Sequence, residues 1–184
     1  MMNIKSKINT EKLLMYAAFI FFFLITCYKL TYAPLWYDET VEWWYSKILI
    51  GALPFPTYCS NDINMYERII STFQPPLYNI LMYFWLKVSS SEFWFRFFGV
   101  VMGFMGNVAI YKSVKKIGNG YIAALSVFFT SCVSRLLMYW QECAEYCLML
   151  GTLCWTVYFF ISFIKEPSHK NIIFLTIFLI IPIN

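Results

Sequence analysis

Two adjacent carboxylates, Asp38 and Glu39, stand in the sequence WYDE shortly after the apolar run of residues 13–30. A carboxylate within hydrogen-bond reach of a hydroxyl group can take its proton, so this pair has the chemistry of a general base. The same residues also fit a structural role, because Asp38 suits the N-cap of a helix and Glu39 suits its first turn. Spacing alone leaves both interpretations open.

Further polar residues lie at the ends of other apolar runs. Glu92 and Arg96 are four residues apart, a spacing that on a helix gives an ion pair of about 0.3–0.5 kcal/mol. Gln141 and Glu142 lie between two apolar runs, where a polar turn is the simplest interpretation. Both pairs are candidates for a substrate site, with these structural roles as the alternative.

The elements that carry these residues are predicted to be membrane helices. Of the 184 residues, 60% are hydrophobic, 22% are aromatic and only 13% are charged, unlike an ordinary soluble domain. A bilayer core about 30 Å thick needs roughly 20 apolar residues in a helix. Runs of this kind are residues 13–30, 93–111, 121–139, 146–164 and 172–183. The sequence therefore predicts one membrane domain over residues 1–184, an all-α polytopic transmembrane helix bundle.

One apolar run, residues 76–87, is too short to span the membrane, since a helix of that length covers only about 18 Å. Basic residues are enriched in cytoplasmic loops. If residues 76–87 lie in the outer interface, three basic clusters share the cytoplasmic side: Lys5/Lys7/Lys12, Lys112/Lys115/Lys116 and Lys165/Lys170. This predicts a multi-pass plasma-membrane protein with a cytoplasmic N-terminus and an outer loop over residues 31–91. The net charge of +4 then reflects a basic inner rim and indicates no nucleic-acid partner.

The outer loop is predicted to begin with an amphipathic helix that lies in the membrane interface. Its sequence, ETVEWWYSKIL, has apolar side chains at helical spacing on one face and polar side chains on another: Val41, Trp44, Tyr45 and Ile48, against Glu39, Glu42 and Ser46.

Four motifs in this order resemble the membrane glycosyltransferases of the C type. They are W-Y-D-E (residues 36–39), Q-P-P-L-Y (74–78), S-E-F-x-F-R (91–96) and Y-W-Q-E (139–142), closed by Tyr146. The chain looks most like bacterial relatives of the dolichyl-phosphate-mannose protein mannosyltransferases and the lipid A aminoarabinose transferase. The resemblance implies a larger bundle of membrane helices with amphipathic helices on its outer side.

The resemblance also implies an active site on the extracytoplasmic face. Asp38 matches the leading acid of the family's first outer loop and Glu39 its neighbour, so both are candidate catalytic residues. Gln141 and Glu142 match a polar pair of the second outer loop, and with Tyr146 they are candidate substrate-binding residues.

A leaving phosphate needs a cation or a metal ion where water is scarce. Arg96 is the first candidate for this role and Arg135 the second. The family's usual pattern places an arginine where this chain has Ala144, so one phosphate-facing cation is absent from the motif. No cofactor is certain, and a divalent metal is an option.

The implied function is transfer of a sugar from a polyprenyl-phosphate donor to an extracytoplasmic acceptor hydroxyl. The bilayer and the donor are the partners, and the acceptor is undefined. Because the chain ends inside an apolar run, we expect an N-terminal portion of such an enzyme, inactive alone. The alternative is a non-enzymatic polytopic protein, such as a transporter fragment or an assembly subunit. A transporter places ionisable residues or helix breaks in the middle of its spans, whereas here polar residues gather at the span ends.

Overall fold

A computed structural model describes residues 4–50 and 76–181 of the chain. Within these ranges the chain is helical and contains no strand. The helices are α1 (Ile4–Cys27), α2 (Tyr37–Leu49), α3 (Pro76–Leu86), α4 (Glu92–Ile117), α5 (Gly120–Cys132), α6 (Ser134–Gln141), α7 (Glu145–Lys165) and α8 (His169–Ile180). Residues 51–75, which include Gln74 of the Q-P-P-L-Y motif and much of the predicted outer loop, lie outside the described residues.

Three of these helices are long and apolar enough to cross a membrane: α1 over Thr10–Cys27, α4 and α7. α4 lies at the centre, where it packs against α1, α5, α6 and α7. Large apolar side chains such as Leu24, Phe129 and Phe160 are exposed on the outside of the bundle, as expected of helices that face lipid. The predicted all-α membrane helix bundle is confirmed.

The span expected over residues 121–139 is not one straight helix. α5 and α6 meet at an angle of 74°, because Val133 adopts an extended backbone between them. Thr130 bonds back to the carbonyls of the preceding turn and to Asn107 Oδ1 of α4 at 2.7 Å. These local hydrogen bonds compete with continuation of the helix. As a result Arg135, which a straight span would carry into the membrane, lies exposed on α6.

Two other expected spans have different ends in the structure. α1 begins well before residue 13 and ends at Cys27, ahead of the expected residue 30. α8 takes the place of the expected run 172–183 and begins after the N-cap Ser168. With 12 residues among those described, it is shorter than a membrane span.

The short run 76–87 is helical, as α3, and its buried side chains include Tyr78, Met82 and Leu86. Two tryptophans join α3 to α4. Trp85 Nε1 donates to the carbonyl of Trp94, and Trp94 Nε1 to the carbonyl of Trp85, both at 2.8 Å. Their rings stack at 4.4 Å. The position of α3 in the outer interface stays a prediction.

The basic segments meet at one end of the bundle. Lys115 Nζ lies 2.7 Å from Glu11 Oε1 near the start of α1. Lys116 Nζ donates to Ser162 Oγ at 2.9 Å, and Lys165 donates to the carbonyl of Lys116. The other end of α4 carries Glu92 and Arg96. Glu39 of α2 lies beside Arg96 at this end.

Candidate active site

Arg96, in the second turn of α4, is 3% exposed and forms a bidentate ion pair with Glu39. Nε donates to Oε1 at 3.1 Å and Nη2 to Oε2 at 3.0 Å. Nη1 donates to the carbonyls of Leu30 and Ala33 at 2.7 and 2.9 Å, and Nη2 to that of Pro34 at 3.3 Å. Every N–H of the guanidinium therefore has an acceptor inside the protein.

The ion pair that the sequence predicts between Glu92 and Arg96 is confirmed, with 3.3 Å between Glu92 Oε1 and Nη1. It is the weaker of the two pairs that Arg96 makes, because Glu92 is partly exposed whereas Glu39 is buried. The main partner of Arg96 is thus 57 positions away in the sequence.

Glu39 is fully engaged as well. Oε1 also accepts the backbone N–H of Cys143 at 3.0 Å, and Oε2 accepts that of Trp36 at 3.3 Å. Each carboxylate oxygen therefore accepts two hydrogen bonds. This side chain joins the start of α2, the start of α4 and the turn between α6 and α7.

Asp38 has different surroundings from its neighbour. The N-cap of α2 is Trp36, so the predicted capping role of Asp38 is wrong, whereas Glu39 does lie in the first turn. The helix begins before Asp38 because the Glu39 side chain reaches back to the Trp36 N–H, which is half of a capping box. Asp38 is consequently free of capping and lies exposed at the surface.

Asp38 lines one of two adjoining cavities, which we call the site cleft. The cavity that contains Asp38 has a volume of about 240 Å³, and its other lining residues are Trp36, Glu39, Met138, Tyr139, Glu142, Ala144 and Tyr146. The second cavity, about 220 Å³, is lined by Lys29, Leu30, Ala33, Trp36, Glu39, Arg96, Met138, Gln141 and Glu142. The site cleft therefore brings together six of the seven residues that the sequence suggested, all but Arg135.

Gln141 fixes the end of α6 against the end of α1. Its Nε2 donates to the carbonyls of Thr26 and Tyr28 at 3.1 and 3.3 Å. Carbonyls in the last turn of a helix lack partners within that helix. Gln141 supplies these missing partners and thereby holds the turn that follows it, including Glu142, over the site cleft.

Glu142 is half-buried between charges of both signs. Burial raises the pKa of this carboxyl, and the nearby carboxylates Glu39 and Asp38 raise it further, while Arg96 and Arg135 act in the opposite sense. Arg135 therefore lies within electrostatic reach of the site cleft although it does not line it. A carboxyl with a raised pKa in a cleft is a common property of functional sites.

Tyr146 and Tyr139 form an aromatic side of the site cleft, with their ring centroids 5.7 Å apart. Ala144 lines the same cavity. An arginine at position 144, as in the family pattern, would therefore lie at the site cleft.

The sequence analysis missed one cation, Lys29. It lines the smaller cavity and has φ of 53°, a conformation that non-glycine residues seldom adopt. Such backbone strain concentrates at functional sites. The signal in the sequence is the single lysine at the end of the first apolar run, residues 13–30.

A row of glycines on α4 lets the 140–142 segment approach that helix closely. A Cβ added at Gly99 would lie 2.8 Å from the carbonyl oxygen of Trp140 and 2.9 Å from that of Glu142. At Gly103 it would meet the Trp140 ring at 2.8 Å. These glycines therefore set the depth of Glu142 in the site cleft.

We expect Gly99→Ala to destabilise the protein by about 1–3 kcal/mol, because backbone atoms cannot yield as a flexible side chain can. Gly106→Ala is the matched control, since a Cβ there meets nothing closer than 3.5 Å. Unfolding of both variants in micelles checks this expectation. Equal stability of the two variants would contradict the close packing of residues 140–142 against α4.

A metal ion has no evident place among the described residues. No group of three or more His, Cys, Asp or Glu side chains in residues 4–50 and 76–181 has a geometry that could hold one. We therefore derive no step of the chemistry through a metal.

Comparison with known proteins gives one match. The family model described as dolichyl-phosphate-mannose-protein mannosyltransferase matches residues 73–182, more than half of the chain. The matched segment contains the motifs at 74–78, 91–96 and 139–142, whereas residues 36–39 precede it. No curated protein and no solved structure matches the chain.

Proposed function

Because the chain belongs to the dolichyl-phosphate-mannose-protein mannosyltransferase family, we propose that it transfers a sugar from a polyprenyl-phosphate donor to an acceptor hydroxyl at the site cleft. The observation that carries this proposal is the contrast between two adjacent acids. Glu39 has all its acceptor positions filled by Arg96 and two backbone N–H groups. Asp38 faces the cleft with its carboxylate exposed.

In this proposal Asp38 is the general base. The acceptor oxygen forms a bond to the anomeric carbon, and its proton passes to the Asp38 carboxylate. The bond from that carbon to the phosphate oxygen breaks, and polyprenyl phosphate leaves with the electron pair. Glu39 and Arg96 hold the start of α2 so that Asp38 faces the reacting hydroxyl.

The leaving phosphate needs positive charge, and Arg96 has no free donor to supply it. Two cations remain at the cleft among the described residues. Lys29 lines it, and Arg135 lies within electrostatic reach of Glu142. Glu142, Gln141 and Tyr146 then bind the polar part of the donor or acceptor.

The site cleft is proposed to face the extracytoplasmic side. The basic segments gather at the opposite end of the bundle, where Lys115 meets Glu11 and Lys165 meets Lys116. Lysine and arginine are enriched on the cytoplasmic side of membrane proteins, which supports a cytoplasmic N-terminus. Charged side chains lie near the ends of α1, α4 and α7, and this favours an enzyme over a transporter.

Donor binding tests the assignment of the two cations. We expect the variant Lys29→Gln/Arg135→Gln to bind polyprenyl-phosphate mannose at least about tenfold more weakly, since a hydrogen bond to a charged group contributes about 1.5–3 kcal/mol. Binding is measured in lipid nanodiscs with a labelled donor. Lys87→Gln is the matched control, because Lys87 lines neither cavity.

Two competitors make the binding test specific. Unlabelled polyprenyl phosphate should displace the donor, and polyprenol, which lacks the phosphate, should not. Unchanged donor binding in the double variant would show that the phosphate binds elsewhere. Equal displacement by polyprenol would show that only the lipid tail is recognised.

A further inference from the structure

α2 turns its polar face toward the protein, and of its apolar face Val41 and Trp44 lie outward while Ile48 is buried. Glu42 is fully buried and Glu39 is 1% exposed, whereas Val41 and Trp44 are 42% and 43% exposed. The sequence predicted the two faces but not which of them is buried. Outward apolar side chains suit a helix in the membrane interface. The buried acids Glu39 and Glu42 nevertheless lie where α2 packs on the protein.

Glu42 is the exceptional residue on this buried face. Neither of its carboxyl oxygens has a hydrogen-bond partner in the described part of the chain. Buried polar groups are nearly always hydrogen-bonded, and a buried charge is nearly always paired. Glu39, one turn earlier, meets this requirement through Arg96. Among residues 4–50 and 76–181, Glu42 has no such cation.

In the part of the chain that the structure describes, the titratable groups that face Glu42 are acids or neutral groups. The pKa of Glu42 is raised to about 8. Burial is the largest cause, followed by the charge of Glu145 at the start of α7 and then by that of Asp38 on α2 itself. Tyr78 of α3 and Cys143 of the α6–α7 turn also face it. Burial raises the pKa of both well above the ordinary value, so they stay neutral.

The next polar side chain on this face, Ser46, is likewise buried, and its hydroxyl has no hydrogen-bond partner among the described residues. Buried serines elsewhere in the bundle, such as Ser113 and Ser131, donate to the carbonyl four residues earlier. Ser46 thus shares the buried setting of Glu42 but cannot ionise in the physiological range, which makes it a matched control.

We propose that Glu42 is a positioning residue that docks as a neutral carboxylic acid, so that docking of α2, and with it the placement of Asp38, takes up one proton. Docking here means the packing of α2 against α3 and the α6–α7 turn. The consequence for catalysis rests on the proposed function, whereas the proton uptake does not.

The direction of the pH dependence follows from linkage. In an undocked helix Glu42 is exposed and ionises near the ordinary value of 4.5, whereas in the docked helix it ionises near 8. Between these values the undocked state holds fewer protons, so rising pH favours undocking by up to about tenfold per pH unit. Below pH 4.5 and above about pH 8 the docking equilibrium no longer depends on pH through Glu42.

Hydrogen exchange of the α2 amides tests the proposal in the intact chain in nanodiscs. Exchange is compared between wild type and Glu42→Gln at each pH, so that the intrinsic pH dependence of exchange cancels in the ratio. We expect this ratio to rise from pH 5 to pH 8, approaching about tenfold per unit, and then to level off. The corresponding ratio between wild type and Ser46→Ala should stay flat with pH, because Ser46 does not ionise in this range. A flat ratio for Glu42→Gln would overturn the proposal.

Infrared titration tests the protonation state itself. We expect a protonated carboxyl band at pH 7 that disappears near pH 8 and is absent in Glu42→Gln. Titration of that band at the pH of an ordinary glutamate would overturn the proposal even if folding is unaffected. Because neither measurement needs transfer activity, failure of the proposed function and failure of this inference are distinguishable.

Discussion

Replacing Asp38 with asparagine is expected to lower the rate of sugar transfer by about 10²–10⁴-fold, the usual effect of losing a general base. Asparagine has the size of aspartate but cannot accept the hydroxyl proton. The substitution should leave folding and donor binding nearly unchanged, because Asp38 is exposed and the N-cap of α2 is Trp36. The loss should therefore fall on the catalytic step, measured in single-turnover experiments with saturating donor.

The control for this experiment is Glu92→Gln. Glu92 is a partly exposed carboxylate at the same end of the bundle, and it lines neither cavity of the site cleft. Glu39→Gln cannot serve as the control, because Glu39 is the buried partner of Arg96. Near-normal transfer by Asp38→Asn would remove Asp38 from the chemistry.

Replacing Arg96 with methionine is expected to destabilise the protein by about 3–5 kcal/mol, the effect of breaking a buried ion pair from one side. Glu39 would be left as an unpaired buried charge, and the carbonyls of Leu30, Ala33 and Pro34 would lose their donor. Arg96→Lys should recover only part of this loss, since an ammonium group cannot reproduce the bidentate geometry. The free energy of unfolding in mixed micelles is the measurement.

A double-mutant cycle distinguishes a structural role for Arg96, as the partner of Glu39, from a phosphate-binding role. The variant Arg96→Met/Glu39→Gln has no unpaired charge, so it should be more stable than the sum of the single losses predicts. Additive losses would contradict the coupling. If Arg96→Met instead weakened donor binding and left the stability unchanged, Arg96 would be the phosphate ligand, and its structural role as the partner of Glu39 would be contradicted.

The membrane helices were predictable because apolar runs of sufficient length have few other folds available. The break at Val133 was not, since a hydropathy window averages over the local hydrogen bonds of Thr130 that end α5. The same averaging hid the exposure of Arg135. The helical spacing within α2 was also readable from the sequence, but the choice of buried face depends on Arg96 and on α3, which lie far along the chain.

The candidate site was found in part through its residue types. Asp38, Glu39, Gln141, Glu142 and Tyr146 were identified, and the structure brings all five to the site cleft. The different surroundings of Asp38 and Glu39 could not be predicted, because they depend on hydrogen bonds from residues 57 and 104 positions away.

The roles proposed for Lys29 and Glu42 could not be predicted from the sequence for a related reason. Lys29 stands among aromatic residues as an ordinary interfacial lysine, and only its φ of 53° and its place in the smaller cavity distinguish it. Glu42 belongs to a polar stripe whose burial is a property of the assembled bundle.

The most direct test of sugar transfer at the site cleft is product formation in nanodiscs by a full-length member of the family that carries the same W-Y-D-E segment. The protein is given polyprenyl-phosphate mannose labelled in the sugar and an acceptor mixture rich in hydroxyl groups. We predict that labelled acceptor and free polyprenyl phosphate appear in equal amounts, and that both fall by about 10²–10⁴-fold with Asp38→Asn. An intact donor after prolonged incubation with folded, donor-binding protein, or equal product from Asp38→Asn, would contradict the account.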